Sequence, residues 1–170
     1  AAGYDQPTLR VAQQFIDLLR PGDRVGLVDF NSDATVRYPA VEPPALALVD
    51  GQVVLDEAKA RVAALAFGGC TYMGRAIELG GGLFEEGDPR RALVFLSDGE
   101  DNKGCRRGDA TRAWGIDAVD ALPDGVRVYP CALGPLSDGA LLAQMAERSG
   151  GRFFSSPTPD DLGVVFGFLR

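Results

Sequence analysis

The segment Arg91–Lys103, RALVFLSDGEDNK, constrains the fold more than any other part of the chain. Its five consecutive apolar residues, Ala92–Leu96, are too few for an ordinary helix and predict a strand that is buried on both faces. The strand ends at Ser97-Asp98-Gly99, where the glycine permits a sharp turn. Ligands of open parallel sheets bind just beyond the carboxyl ends of the strands, so Asp98 is a candidate site residue. The alternative is that Asp98 belongs to an ordinary turn and is only solvated.

Composition and charge exclude several classes of function. The 170 residues include 17 basic and 24 acidic side chains, a formal charge of −7, which argues against nucleic acid or an anionic membrane surface as the main partner. Histidine is absent, which excludes Ser-His-Asp and Cys-His nucleophiles and histidine-based zinc sites. Because no apolar run approaches the roughly 18 residues of a membrane-spanning helix, we expect no membrane insertion. The length favours one domain over residues 1–170.

A hairpin comes first among the predicted sheet elements. Arg24–Phe30 and Ala34–Tyr38 are separated by only three residues, and a connection of that length makes an antiparallel pair. Residues 39–52 are predicted to be a surface connection, since they contain three prolines and a glycine. Turn residues and apolar runs predict further strands at 126–133 and 152–155. Apolar spacing and capping signals predict helices at 7–20, 53–67, 73–84, 109–122, 137–149 and 158–170.

Strands that alternate with helices predict an α/β fold. We expect a doubly wound, mostly parallel sheet with one antiparallel hairpin strand and helices on both faces. Three local features need a structural explanation. The glycines at 80–82 suit a helix poorly unless they allow close packing on the sheet. Asp109 is predicted to cap the helix that follows it. Pro130 indicates either a bulge or a place near the end of its strand.

Taken together, these segments resemble a von Willebrand factor A domain of the bacterial type. The matching segments are PGDRVGLVDFNSDATVRYP (21–39), FGGCTYMGRAI (67–77), ALVFLSDGEDN (92–102) and LLAQMAERSGGRFFSSPTPDDL (141–162). The resemblance covers essentially the whole chain in order. It implies a Rossmann-like sheet with one divalent cation at the carboxyl ends of the strands, the metal-ion-dependent adhesion site (MIDAS).

The resemblance also implies which residues would hold the ion. The family takes its ligands from three loops, which carry an Asp-x-Ser-x-Ser motif, a threonine after glycines, and an aspartate that ends a buried strand. By position in this sequence, the threonine is Thr71 and the aspartate is Asp98. Their oxygens suit Mg²⁺, which requires near-octahedral oxygen coordination and keeps several waters. Without the resemblance, Thr71 would be interpreted as the N-cap of the following helix. An open ligation position would accept the Asp or Glu carboxylate of a protein partner.

The sequence departs from the family pattern because it contains no Asp-x-Ser-x-Ser motif. The residues Asn31-Ser32-Asp33 lie in the hairpin turn and do not replace it. In the family this motif follows an N-terminal strand at the middle of the sheet. We therefore expect a domain over 1–170 that lacks its central strand, with an upstream segment or another chain filling the slot. Mg²⁺, or Mn²⁺ or Ca²⁺, is expected if the motif lies upstream, and otherwise no metal.

The expected loss of a central strand has an energetic consequence. A buried strand contributes about four large apolar side chains at ~1.5–3 kcal/mol each, together with hydrogen bonds on both edges. This sum is comparable to the ~5–15 kcal/mol that stabilises a whole domain. We therefore do not expect residues 1–170 alone to form this fold as a stable monomer.

The cysteines leave two interpretations open. Cys70 adjoins Thr71 and Cys105 follows the Asp98 loop, so the implied fold brings both to the same end of the sheet. A disulfide there would close a loop of roughly 35 residues and stabilise the protein by ~3–4 kcal/mol in the chain-entropy model. The alternative is two unpaired thiols. Cys131, in a predicted strand, is expected in the core.

Three functions compete at this stage. The first, which we favour, is a non-enzymatic module that binds a protein partner through a metal-bridged carboxylate. The second is a Mg²⁺-dependent phosphoryl-transfer enzyme with Asp98 as the nucleophile. That chemistry needs a lysine beside the phosphate, and the chain has only Lys59 and Lys103 and no phosphate-binding loop with a lysine. The third is a degenerate domain with a structural role and no metal.

Overall fold

The computed structural model describes residues 5–66, 68–88 and 90–155. The helices are α1 (Asp5–Asp17), α2 (Gln52–Ala63), α3 (Met73–Gly81), α4 (Gly115–Asp120) and α5 (Gly139–Ser149). The strands are β1 (Arg24–Val25), β2 (Leu27–Phe30), β3 (Ala34–Tyr38), β4 (Ala47–Leu48), β5 (Arg91–Ser97), β6 (Val126–Ala132) and β7 (Phe154–Ser155). The predicted α/β fold is confirmed, while the helix predicted at 158–170 lies outside the described residues. Of the helices that the structure describes, none has the length and apolar character needed to cross a membrane.

A parallel sheet in the order β5–β6–β7 forms the centre of the described residues. β5 and β6 pair without interruption over all seven residues, and β7 pairs with Cys131 and Ala132 at the end of β6. Pro130 lies opposite Phe95 in the regular register. It therefore makes no bulge against β5, and its position near the end of β6 agrees with the other expectation.

The predicted hairpin is confirmed as the antiparallel pair β2–β3. The prediction of one continuous strand over 24–30 is wrong, because Gly26 divides it into β1 and β2. A Cβ on Gly26 would lie 2.8 Å from Leu46 Cδ2 and 2.9 Å from Leu83 Cδ1, so a larger residue there would require these side chains to move. β1 pairs instead with β4, a two-residue strand inside the predicted surface connection 39–52.

Helices cover both faces of the parallel sheet, as predicted. Successive side chains of a strand point to opposite faces. On one face, Phe95 of β5 is buried in a cluster with residues of α3, α4 and α5. On the other face, Ala92 and Val94 pack against the same cluster as Phe15 of α1, and this cluster contains the buried side chain of Cys131.

Close contacts explain the glycines of α3. A Cβ on Gly80 would lie 2.7 Å from Leu93 Cδ2 of β5, and one on Gly81 would collide with Leu122 Cδ2. Either substitution would require the leucine side chain that it meets to move. The interpretation of close packing on the sheet is therefore confirmed for Gly80, while Gly81 packs against Leu122, which lies just beyond α4.

The predicted start of the fourth helix at Asp109 is wrong, since α4 begins at Gly115. Asp109 Oδ1 instead accepts hydrogen bonds from Thr111 N at 2.9 Å and Thr111 Oγ1 at 2.6 Å, which closes a turn. These bonds hold the pKa of the Asp109 carboxyl below its ordinary value. The end of α5 is as predicted, with Gly150 in the left-handed conformation at φ 71°.

A groove separates the hairpin from the parallel sheet. Among the described residues, β2 pairs with β3 and β5 pairs with β6, and no strand joins β2 to β5. Both strands line one cavity of about 1000 Å³, which α1 and α3 also line. The expectation that Ala92–Leu96 is buried on both faces is therefore wrong in part. Phe95 is buried, whereas the other four residues are only half-buried because they border the groove.

Candidate metal centre

The structure brings Thr71 and Asp98 together at one end of the groove. Asp98 directly follows the last residue of β5, and both residues line the cavity. A Cβ built on Gly99 would lie 3.2 Å from Thr71 Oγ1, so the Thr71 hydroxyl lies close to the backbone that follows Asp98. We call this end of the groove, formed by Thr71 and residues 98–100, the rim.

A tight turn at the end of β5 presents Asp98. Ser97 is buried, and its Oγ donates a hydrogen bond to Gly99 O at 3.2 Å and accepts one from Gly99 N at 3.4 Å. The turn leaves Asp98 half-buried. Within the part of the chain that the structure describes, no hydrogen bond or ion pair engages the Asp98 carboxylate. Its oxygens are therefore available to a ligand.

The other two acids after β5 are already engaged. Glu100 is exposed and accepts a hydrogen bond from Arg107 Nη2 at 3.2 Å. Asp101 is 5% exposed and accepts hydrogen bonds from Lys103 N at 3.0 Å and Gly115 N at 2.6 Å. Asp101 thus fastens the loop to the first residue of α4. Of the three acids, Asp98, the one predicted from the sequence, is therefore the one whose carboxylate is not engaged within the described residues.

Thr71 is held by three hydrogen bonds through its backbone N and O, and Asn102 is the partner in two of them. Thr71 N donates to Asn102 Oδ1 at 2.9 Å, and Thr71 O accepts from Asn102 N at 3.0 Å and Gly104 N at 3.1 Å. Tyr72, rather than Thr71, is the N-cap of α3, so the interpretation of Thr71 as the helix cap is wrong. Sequence reasoning did not identify Asn102, whose partner lies 31 positions away along the chain.

A disulfide joins the two loops of the rim. Cys70 and Cys105 are bonded, with their Cα atoms 5.3 Å apart. Of the two interpretations that the sequence left open, the disulfide is confirmed. The bond closes a loop across 35 positions of the chain and ties the residue before Thr71 to the end of the Asp98 loop.

Two cations near the rim are engaged in packing. Lys103 is 7% exposed, with Nζ 4.6 Å from the ring centroid of Trp114 and donating to Asp109 O at 3.2 Å. The guanidinium of Arg112 lies 4.5 Å from the ring centroid of Tyr72. Burial raises the pKa of the Tyr72 hydroxyl, and the charge of Arg112 partly opposes this shift. Both contacts support the loops of the rim.

The donors at the rim fit part of the ligand set of a hard divalent cation. Thr71 offers a hydroxyl oxygen and Asp98 a carboxylate, which are oxygen ligands of the kind that Mg²⁺ and Mn²⁺ prefer. In the residues described, no three His, Cys, Asp or Glu side chains gather closely enough to hold a metal ion by themselves. Further ligands would have to be water or oxygen atoms from another segment.

Comparison with known proteins identifies the fold. No family model and no curated protein sequence matches the chain. Among solved structures, a von Willebrand factor type A protein from Catenulispora acidiphila covers 95% of the chain with a TM-score of 0.78 and 21% identity. The chain has the fold of a von Willebrand factor A domain. It spans only 36% of the Catenulispora protein, which is much longer.

Two further structures share the von Willebrand factor A fold with this chain. An aerotolerance-related membrane protein from Bacteroides fragilis matches 96% of the chain and 86% of its own, with a TM-score of 0.73 and 16% identity. Proximal thread matrix protein 1 from the mussel byssus, solved with a zinc-occupied MIDAS motif, matches 96% of the chain and 39% of its own. Its TM-score is 0.68 and its identity 16%. At these identities the similarity concerns the fold alone.

Proposed function

We propose that this chain is a protein-binding module that holds a divalent cation at the rim and recruits a carboxylate of its partner. The observation that carries the proposal is the proximity of the Thr71 hydroxyl to the turn at Gly99, which follows Asp98, whose carboxylate makes no hydrogen bond or ion pair among the described residues. The von Willebrand factor A fold, found with zinc at the MIDAS motif of the mussel protein, gives independent support.

Electrostatics explain why such a module would need a metal. The chain carries a net charge of −7, and Asp98 and Glu100 add negative charge at the rim. An acidic partner would be repelled by these groups in the absence of a cation. A bound Mg²⁺, Mn²⁺ or Ca²⁺ would reverse the local charge, and an Asp or Glu of the partner would then complete the coordination.

The proposal includes a central strand in the groove, supplied by an upstream segment or by another chain. The open edges of β2 and β5 and the apolar walls of the cavity support it, because unpaired strand edges and half-buried apolar side chains are costly. A strand parallel to β5 would end at the rim and bring further oxygen ligands there. Val11, in the middle of α1, clusters with Leu133 just beyond β6, so α1 passes near that end of the sheet.

The strand proposal has a direct test in the 170-residue chain. We expect fast hydrogen exchange at β5 amides that face the groove, and no stable monomer in dilute solution. Mass spectrometry would verify the length of the chain, and sedimentation its oligomeric state. A stable monomer of the correct mass with every β5 amide protected would contradict a strand-receiving groove.

The environment of Lys103 argues against phosphoryl transfer. That reaction would need a lysine ammonium free to neutralise the phosphate beside Asp98. Lys103 is buried, stacked on Trp114 and bonded to Asp109 O. Lys59 lies in α2, where its Nζ donates to Asp17 Oδ1 at 2.7 Å. A purely structural domain without metal remains the third candidate, and cation titration distinguishes it from a binding module.

The experiment compares wild type with two near-isosteric variants at the rim, Asp98→Asn and Thr71→Val. Mg²⁺ at a hundred times its Kd is expected to raise the free energy of unfolding of the wild type by about 2.7 kcal/mol. Both variants should lose this effect. Glu86→Gln is the matched control and should keep it, since Glu86 is exposed and does not line the groove. Unchanged thermal stability of the wild type in millimolar Mg²⁺ would count against the ion site.

Partner recognition is tested with a peptide probe. A short peptide with a single Glu should bind the Mg²⁺-loaded protein and lose binding when EDTA is added. The same peptide with Gln in place of Glu is the control and should not bind. Equal binding of both peptides would contradict carboxylate recruitment.

A further inference from the structure

Three hydrogen bonds and one covalent bond connect the Thr71 loop to residues 102–105, and a fourth hydrogen bond lies within residues 102–105. Asn102 takes part in three of the hydrogen bonds, because its Oδ1 accepts from Thr71 N at 2.9 Å and from Cys105 N at 2.8 Å while its own N donates to Thr71 O at 3.0 Å. The remaining hydrogen bond runs from Gly104 N to Thr71 O. The disulfide joins Cys70, which precedes Thr71, to Cys105. We call Asn102 and this disulfide the clamp.

The loop that carries the clamp has an unfavourable backbone conformation. Lys103, Gly104 and Cys105 have φ values of 52°, 63° and 62°, three consecutive residues in the left-handed region. Residues other than glycine adopt this region rarely. The turn that they make directs both Gly104 N and Cys105 N toward the partners described above. Without the covalent bond, this conformation would depend on the hydrogen bonds and on the stacking of Lys103 on Trp114.

The two proposed ion ligands depend on the clamp to different extents. Asp98 is positioned by β5 and by the turn at Ser97 and Gly99. Thr71 is positioned by the clamp, through both of its backbone polar groups. Relaxation of the clamp would therefore move the Thr71 hydroxyl relative to Asp98. A cation that requires fixed oxygen geometry is sensitive to such a change.

We propose that Asn102 positions the Thr71 hydroxyl for the cation and that the disulfide makes this positioning sensitive to reduction. This inference rests on the proposed function, because the affinity at issue is that of the rim for a divalent cation. Oxidised protein is the high-affinity form. Reduced protein, in which residues 103–105 can leave the left-handed region, is the low-affinity form.

The redox step is a thiol–disulfide exchange with a dithiol. A thiolate of the dithiol attacks a sulfur of the pair, most accessibly at Cys105, which is exposed while Cys70 is half-buried. A mixed disulfide forms and Cys70 leaves as a thiolate. The second thiol of the reductant then displaces Cys105. The protein gains two electrons and two protons, and the dithiol becomes a cyclic disulfide.

The experiment measures Mn²⁺ affinity by titration calorimetry on oxidised protein and on protein reduced with dithiothreitol, which is removed under nitrogen before the titration. We expect reduction to weaken Mn²⁺ binding about tenfold, the lower end of what loss of a supporting group costs a metal site. The double variant Cys70→Ser/Cys105→Ser should bind as weakly as reduced protein and should not respond to dithiothreitol.

Asn102 is tested with the disulfide left intact, so that covalent closure of the loop protects the fold. Asn102→Ala should lower the Mn²⁺ affinity about tenfold, whereas Asn102→Asp, which keeps an acceptor oxygen at the same place, should restore it. Gln52→Ala removes an exposed amide whose partner is Asp56 and is the matched control. Loss of stability with no change in Mn²⁺ affinity in Asn102→Ala would show a merely structural role and overturn the inference.

A separate readout distinguishes failure of the clamp from failure of the ion site. If oxidised wild type binds no Mn²⁺, the proposed function is wrong. Hydrogen exchange at Thr71 N then tests separately whether the clamp holds the Thr71 loop. Exchange that accelerates on reduction and in Asn102→Ala supports the clamp. Exchange that stays slow in both overturns it, and so does reduced, folded protein that binds Mn²⁺ as tightly as oxidised protein.

Discussion

β5 and β6 are neighbours in one sheet, yet they differ sharply in burial. They pair in register over seven residues and both are mainly apolar. In β6 every residue except Arg127 is buried, whereas in β5 only Phe95 and Ser97 are. β6 has a strand on each edge, while β5 has β6 on one edge and the groove on the other. Burial of a strand is thus set by its neighbours as much as by its own residues.

The difference in burial between β6 and β5 extends to the two sides of the molecule on which these strands lie. The side of β6 is closed by α4, α5 and β7, and its largest fully buried residues include Tyr129, Met145 and Leu142. The side of β5 and β2 borders the groove and carries the rim, where a disulfide and hydrogen bonds hold the loops. We therefore expect packing to stabilise the first side and cross-links to stabilise the second.

The largest effect is expected from removal of the disulfide. Reduction of Cys70–Cys105 should lower the free energy of unfolding by ~3–4 kcal/mol, the chain-entropy value for a closed loop of this length. Urea denaturation with and without dithiothreitol measures this change. Amides of β6 should keep their protection from hydrogen exchange, whereas amides of the rim should lose theirs. A uniform loss of protection over both sides would break the comparison.

The closed side is tested by Gly151→Ala. A Cβ at this position would collide with the backbone of Val128 in the middle of β6, where no flexible side chain can move away. We expect destabilisation of about 3 kcal/mol, at the upper end of ordinary overpacking. Gly51→Ala is the control, since nothing lies within 4 Å of a Cβ there. Thermal unfolding should leave this control within about 1 kcal/mol of wild type.

Two matched valines sharpen the contrast between the strands. Val128 of β6 is fully buried, and Val128→Ala should cost about 2 kcal/mol, the transfer energy of the lost methyl groups plus a cavity. Val94 of β5 is only half-buried beside the groove, so Val94→Ala should cost less than about 1 kcal/mol. Urea midpoints of the two variants provide the measurement. Equal costs would mean that the groove is closed in solution.

The smallest effect is expected at the hairpin. Arg37 makes two hydrogen bonds to Asp29, at 2.8 and 3.0 Å, which raise the pKa of the guanidinium. The Arg37 side chain is half exposed, so the pair should contribute only ~0.2–1 kcal/mol and less in high salt. A double-mutant cycle with Arg37→Ala and Asp29→Ala measures it. A larger coupling would mean that the hairpin is better shielded than the groove suggests.

Elements with strong local signals were predictable from the sequence. The apolar run of β5, the three-residue turn of the hairpin and the glycine that ends α5 each determine structure from neighbouring residues. The start of α4 was not predictable, because the Asp109 carboxylate can accept a hydrogen bond from Thr111 N in a turn as readily as it could cap a helix. The division at Gly26 was also missed, since it depends on Leu46 and Leu83, which come close only in the folded chain.

The candidate site was predictable to a similar extent. Asp98 was proposed from its place at the end of an apolar strand, whereas Thr71 was proposed only through the resemblance to the von Willebrand factor A family and would otherwise have been interpreted as a helix cap. Asn102 was not identified, because its role arises from contacts with Thr71 and Cys105 across two loops. The partial exposure of β5 could not be derived from its apolar residues either, since the groove is a property of strand order.

The stacking of Lys103 on Trp114 has a practical consequence. Trp114 is the chain's single tryptophan, and the residue stacked on it immediately precedes Gly104, whose amide binds Thr71. The fluorescence of Trp114 therefore originates beside residues 103–105, the loop that holds Thr71 in place. Ultraviolet excitation of unlabelled protein can follow that loop in real time, through shifts in emission wavelength as the ammonium leaves the ring.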